Sequence, residues 1–318
     1  MTLMSTRGTI RRPFRGAASP LGRMRFRRRL TDTTIGYLFI LPAVAVLFTF
    51  QYLPAFEVFR LSLTNRLLLR PFSDYIGLAN YQRLLEDSRF WNAAWNTLYF
   101  VLGSVPLQIG IAILLALALS RTLKRVGFLR TIFFMPVAGS LVALSIIWDW
   151  IYHPRLGALN GVLRLFGIAG PNWLQNSTWA MPAIILLVVW TGTGYYMVIY
   201  LAGLMDIPDE YYEVARIDGA SPWKTFWGIT WPLLTPTTYL VMILQVINSF
   251  QVFTTVYVMT GGGPARATEV LVYYLYQRAF ESMEFGYAST VAVSLFVFLV
   301  ALTLILRRLY ARKVVYDR

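Results

Sequence analysis

Six apolar runs lie near 35–55, 95–119, 131–152, 179–203, 233–258 and 285–306. Each is roughly 20 residues, the length needed to cross the hydrocarbon core of a bilayer. A backbone crossing lipid must satisfy its own hydrogen bonds, so each run is predicted to be a helix. The pattern predicts an all-α membrane protein with six transmembrane helices. Polar pieces separate the runs. The first, 56–94, is amphipathic, and Asp87-Ser88 marks the start of the helix that becomes the second span. The segment 153–177 carries a Gly-Pro-Asn turn at 170–172, and Thr260-Gly-Gly-Gly-Pro264 is a tight exit from the fifth span.

The longest polar interruption in the second half runs from Asp206 to Pro236. It reads as two short helices around a forced corner. Pro208 suits a first helical position, and Asp209 and Glu210 favour the positive end of the helix dipole. Asp218-Gly219 stops this helix, because Gly takes the left-handed conformation at no steric cost. Ser221-Pro222 restarts it as N-cap and first residue. Between two membrane-length segments, such a loop is a rigid knob. No strong internal repeat is evident.

Composition agrees with this reading. Of 318 residues, 57% are hydrophobic and 14% charged, a balance wrong for a soluble protein. The formal charge is +14, and its placement points to topology. Residues 1–34, the 121–130 connection, the 204–232 loop and the 307–318 tail hold 20 of the 29 Lys and Arg residues. The positive-inside rule puts both termini and the loop in the cytoplasm. The arm 1–34, with nine Arg, is expected to be disordered and drawn to anionic membrane lipid, with no nucleic-acid partner. The run from Ile35 is too long for a signal core and is expected to be an uncleaved span. Trp148, Trp150, Tyr152, Trp173 and Trp179 are expected to form an aromatic belt at the outer boundary.

Much chemistry is absent. No Cys is present, so disulfides and thiolate metal sites are excluded, and His153 is the only histidine. The phosphate-cradling Gly-Lys loop, the zinc-protease helix and the nucleophile elbow do not occur. Gly261-Gly262-Gly263 lacks the Lys and reads as a turn. Asp149, the deepest acid, lies between two tryptophans and reads as a belt residue. Neither catalytic nor metal-binding residues are assigned. Proton-driven carriers need intramembrane acids or His, so the chain looks like a transporter without an engine.

The span middles are polar but uncharged. The fourth holds Trp190, Thr191, Gly192, Thr193, Gly194, Tyr195 and Tyr196; the fifth holds Gln245, Asn248, Ser249, Gln251 and Thr254; Gln108 and Ser140 lie in the second and third. Amides and hydroxyls hydrogen-bond a neutral polyhydroxylated ligand, and aromatic faces stack on it. The same residue types also hold transmembrane helices together, so individual assignments stay open. The substrate path is assigned to Trp190, Thr191, Gly192, Tyr195, Asn248, Ser249 and Gln251.

Glu213-Val214-Ala215-Arg216-Ile217-Asp218-Gly219-Ala220 closely resembles the coupling motif of the membrane subunits of bacterial binding-protein-dependent ABC importers. Val214 departs from the usual Ala. G-L-A-N-Y at 77–81, F-W-N-A-A-W-N-T at 90–97, R-T-I-F-F-M-P at 130–136, L-A-G-L-M-D-I-P at 201–208 and T-G-G-G-P at 260–264 extend the likeness over about 35–310, to the sugar branch (maltose and glycerol-3-phosphate type). The resemblance implies the type I importer (MetI-like) fold and a permease subunit, not an enzyme, that moves a sugar or polyol across the cytoplasmic membrane. Its implied partners are a second related permease in a heterodimer, two ATPase subunits that bind ATP and Mg, and an extracytoplasmic solute-binding protein. The chain itself needs no cofactor. Glu213, Ala215, Asp218, Gly219 and Ala220 would form the ATPase coupling site, with Ala215 and Ala220 permitting close approach. The alternative is a stand-alone carrier or channel for a small neutral solute.

Overall fold

The computed structural model describes residues 35–67, 69, 72–120 and 126–311. The expected basic arm 1–34, the connection 121–125 and the tail from 312 lie outside these residues. The chain divides into two compact units, one ending at Glu57 and one beginning at Val58. The first unit's described residues, 35–57, belong to helix α1 (Ile35–Ser62), and its apolar side chains there are exposed.

The other long helices are α3 (Ser88–Leu119), α7 (Ala180–Met205) and α13 (Phe285–Ala311). A further span, Thr235–Met259, consists of α10 (Thr235–Phe250) and α11 (Thr254–Met259). Shorter helices are α2 (Ala79–Glu86), α6 (Ala158–Leu165), α8 (Asp209–Ile217), α9 (Pro222–Thr225) and α12 (Leu271–Tyr276). Among the described residues the only β-pairing is an isolated bridge from Thr64 to Tyr75.

The third expected span, 131–152, is not one straight helix. Helices α4 (Val126–Phe134) and α5 (Leu141–Ile151) are separated by a tight helical turn, Met135–Ala138. The segments Gly127–Ala138 and Leu141–Ile151 meet at 99°. Pro136 tightens the turn and Gly139 is extended (ψ 151°), so the helical ladder stops there.

Helix α3 is about 48 Å long at 1.5 Å per residue. It begins where expected, with Asp87 as N-cap accepting from the amides of Arg89 (2.9 Å) and Phe90 (3.3 Å). Its buried face includes Ala93, Thr97, Ser104, Ala112 and Ala116, small residues that let helices approach closely. Phe100 and Val105 from α3 pack with Ile184 and Leu187 from α7 and with Phe250 and Val256. A second cluster joins Ala112 and Ala116 to Met197, Tyr200, Leu234 and Val241. At Gly194 of α7 an added Cβ would lie 2.1 Å from the Phe133 carbonyl oxygen, so α4 passes against bare backbone.

The expected aromatic belt is partly a packed column. Trp148, Tyr152, Trp173 and Trp179 touch in sequence, with ring centroids 5.3–5.8 Å apart. Tyr152 is buried and donates its hydroxyl to the Ala183 carbonyl at 2.8 Å. Trp150 remains exposed. Asp149 is exposed as well, and the His153 ring accepts amides from Arg155 and Leu156, a local cap.

A charged network at the start of α3 was not foreseen. Arg89 pairs with buried Glu269 and also reaches Gln277. Asp87 accepts hydroxyls from Tyr274 and from Tyr287 (2.6 Å) and faces Arg278 at 3.4 Å. Arg83 grips Glu284 with both contacts at 3.0 Å. Burial pushes the Asp87 pKa up, but hydrogen bonds from Tyr274, Tyr287 and the two N-cap amides outweigh it and hold the carboxyl below its ordinary value. Asn96 donates to the carbonyls of Arg266 (2.8 Å) and Glu269 (3.0 Å), fixing the loop that begins at the Gly turn.

Candidate functional site

Two places in the molecule concentrate the residues singled out from sequence. The first is a cavity of about 250 Å³ beside a break in a membrane-length helix. Helix α10 ends at Phe250, and α11 starts at Thr254 after Phe253 leaves helical geometry (φ −142°, ψ −58°). Irregular backbone at membrane depth is tolerated where it is buried in protein or lines a cavity. Asn248, Ser249, Gln251 and Thr255 line the cavity from this segment, Thr191, Gly192 and Tyr196 from α7, and Phe100 and Gln108 from α3.

Five of the seven expected path residues therefore meet: Thr191, Gly192, Asn248, Ser249 and Gln251. Trp190 and Tyr195 do not line this cavity. Trp190 rests on Trp148 at 5.4 Å, and Tyr195 makes an edge contact with Tyr196; both are partly exposed on other faces of α7.

The cavity wall is held by amides. Gln108 donates to the Val188 carbonyl at 2.8 Å and accepts from the Gln245 amide. The bare backbone at residue 192 leaves this amide its place: a Cβ on Gly192 would lie 2.2 Å from Gln108 Nε2 and force it to shift. Gly192 therefore acts by making room for Gln108. Thr255 was missed. It is fully buried, lines the cavity, and its hydroxyl has no hydrogen-bond partner among the described residues. A buried hydroxyl without a partner costs about 1–3 kcal/mol, and such groups call for a functional explanation. The run Thr254-Thr255 in sequence was a weak sign of it. Gln245 Oε1 is likewise buried with no partner among the described residues.

The second place is the 206–232 loop. Helix α8 starts one residue later than expected, with Pro208 as N-cap and Asp209 and Glu210 in its first turn. Gly219 has φ +69°, and the amides of Gly219 and Ala220 return to the carbonyls of Arg216 (3.2 Å) and Ala215 (2.9 Å). This paired C-cap closes the helix, as Gly in the left-handed region allows. Ser221 caps α9 through the Lys224 amide, with Pro222 in the first position. The Tyr212 hydroxyl meets the Thr230 hydroxyl at 3.2 Å, tying the two arms together. Tyr212, Phe226 and Trp231 pack on the cluster around Leu234, so the loop is braced against the helices.

Glu213, Asp218 and Gly219 are exposed and Ala220 is half-buried. Ala215 is instead 6% exposed, turned into the chain. Its small size lets the loop pack on its own protein. Val214 and Ile217, the latter 84% exposed, form the outward apolar face that sequence reading passed over. Their spacing of three on a helix was the available signal.

The chain is similar to known transport proteins. The family model described as binding-protein-dependent transport system inner membrane component matches residues 16–316. The trehalose/maltose transport system permease protein MalF of Thermococcus litoralis is 34% identical over 277 residues, covering 86% of this chain and 92% of its own. The lactose transport system permease protein LacF of Rhizobium radiobacter is 38% identical over 264 residues, covering 81% and 87%. A crystal structure of a bacterial ABC transporter that imports the acidic polysaccharide alginate aligns with a TM-score of 0.80 at 22% identity, over 91% of this chain and 99% of that one. That likeness speaks to the fold.

Proposed function

The chain belongs to the family of binding-protein-dependent transport system inner membrane components, a membrane-embedded family of ABC permeases, and from that membership we propose that it translocates a sugar or related polyol as one subunit of an ATP-driven importer. The observation that carries the proposal is the cavity at the broken span. Its polar groups are amides and hydroxyls, and its lining holds no Asp, Glu, Lys or Arg. That set suits a neutral polyhydroxylated ligand, mono- or oligosaccharide. Ligand pockets usually measure about 300–1,000 Å³, so a cavity of about 250 Å³ suits one side of a larger path. A second, related permease supplies the other side in this reading, which favours a heterodimer.

The work of transport comes from elsewhere. Two separate ATPase subunits hold ATP and Mg, and this chain binds no cofactor itself. The knob at 206–232 transmits their motion, with Glu213, Val214, Ile217, Asp218, Gly219 and Ala220 at the contact and Ala215 bracing it from behind. An extracytoplasmic solute-binding protein delivers the ligand, and both termini face the cytoplasm of a cell whose cytoplasmic membrane holds the complex. Alternating exposure of the cavity follows if nucleotide-bound and nucleotide-free partners favour different arrangements of the same helices.

The test is ligand-stimulated ATP hydrolysis by the reconstituted complex across a panel of neutral, acidic and phosphorylated sugars. Stimulation confined to neutral sugars or polyols supports the proposal. Solute movement by this chain alone, without nucleotide, would sink it.

A further inference from the structure

Helix α6 carries its polar residue inward and its apolar residues outward. Asn160 is 2% exposed; it donates to the carbonyls of Pro154 (3.0 Å) and Pro171 (3.2 Å) and accepts the Trp173 indole at 2.7 Å. On the opposite side Val162, Leu165 and Phe166 are exposed, Leu165 to 83% and Phe166 to 75%. Water on that face would favour the reverse arrangement. An apolar groove of about 500 Å³, lined by Ile146, Ile147, Trp150, Ile151 and Ala158, joins α5 to the start of α6. The exposed apolar surface of α5 thus continues through this groove onto the start of α6.

Exposed Asp149 stands on α5 outside the groove lining; on the α6 side of this surface the charge has one sign. From Trp150 to Met205 the sequence contains no Asp or Glu, and Arg155 and Arg164 are its only Arg or Lys residues. Arg164 lies along the edge of α6 and donates to the Arg155 carbonyl at 3.0 Å. A protein partner at a polar rim would be matched by both signs of charge; a rim of arginines around an apolar face matches anionic headgroups above acyl chains.

We infer that α6 is an interfacial helix lying in the plane of the bilayer, with Val162, Leu165 and Phe166 at the acyl boundary and Arg155 and Arg164 against anionic lipid phosphates. This needs only that the chain is membrane-embedded. It is independent of what the chain transports.

The chain has no Cys, so one introduced Cys is unique within it. The full chain, with its copurifying subunits, is placed in nanodiscs containing phosphatidylglycerol, and nitroxide labels are attached to Leu165→Cys, Phe166→Cys and, as an aqueous control, the exposed position Ser73→Cys. Oxygen should collide with the first two labels more often than a water-soluble nickel chelate does, with the order reversed at the control. Replacing phosphatidylglycerol by phosphatidylcholine, or introducing Arg155→Gln with Arg164→Gln, should lower the oxygen-to-nickel ratio at both α6 labels. Nickel collisions in excess would show a solvated helix. Few collisions with either would show a protein partner. Either result overturns the inference, and a ratio indifferent to lipid charge overturns the role given to the arginines.

Discussion

Arg89 closes on Glu269 across 180 residues of sequence, its Nε 2.9 and 3.1 Å from the two carboxylate oxygens, where Glu269 is only 1% exposed. The pair joins the start of α3 to the loop before α12, and Asn96 fixes the same loop through its backbone.

Removing one partner of such a pair leaves a buried charge, a loss of about 3–5 kcal/mol. Arg89→Ala should therefore lower thermal stability far more than Arg83→Ala, whose ion pair is partly exposed to solvent. The double variant Arg89→Leu with Glu269→Leu should recover much of the loss, because no charge is stranded. Thermal unfolding of the purified protein in detergent checks both.

Asp87 gives the network a pH dependence. Its folded pKa lies below the ordinary value, so its contribution is complete above the unfolded value of about 3.9 and disappears as pH falls through the lower folded value. Unfolding midpoints measured between neutral and strongly acidic pH should fall in that acid range. Asp87→Asn should flatten the acid limb and lose stability at neutral pH, where its N-cap carboxylate is missing.

Gly219 separates strain from contact. Its φ of +69° admits Asn at little cost and penalises β-branched residues. Gly219→Asn should preserve expression and ligand-independent assembly; Gly219→Val should impair both. Gly219→Asp should abolish ATP-driven uptake while leaving membrane insertion intact. Normal uptake by Gly219→Asp would remove the loop from the coupling path.

Thr255→Val replaces a buried, unpartnered hydroxyl with a methyl of similar shape. Unmet burial of a hydroxyl costs about 1–3 kcal/mol, so the variant should be as stable as the parent or more so. Its transport should nevertheless need more ligand to reach half-saturation, because a residue lining the cavity loses its hydroxyl. A stable variant with unchanged half-saturation would take Thr255 out of the site.

Features with local signatures were legible in the sequence. Apolar length marked the long helices, and Pro, Ser and Gly marked the caps of the 206–232 loop, since those residues act through their own backbone. The cavity was legible as a cluster of amides and hydroxyls, but not its facing. Helix α7 is buried on several sides, so periodicity gave no means to separate Thr191 and Gly192 from Trp190 and Tyr195. The bend at Gly139 escaped because hydropathy counts residues and ignores direction, although Pro136 was in view. The Arg89–Glu269 pair left no trace in sequence, as nothing local links positions 180 apart.

The bend has a consequence for how the protein sits in the bilayer. The arms Gly127–Ala138 and Leu141–Ile151 are each about 17–18 Å long, against about 30 Å of hydrocarbon. Neither arm can be released into oil by itself, and the corner carries backbone groups that oil cannot satisfy. Its seat is the groove of α7, where Gly194 receives the carbonyl of Phe133. The two short arms thus depend on a helix that comes later in the chain, and their place in the bilayer is complete only with α7 beside them.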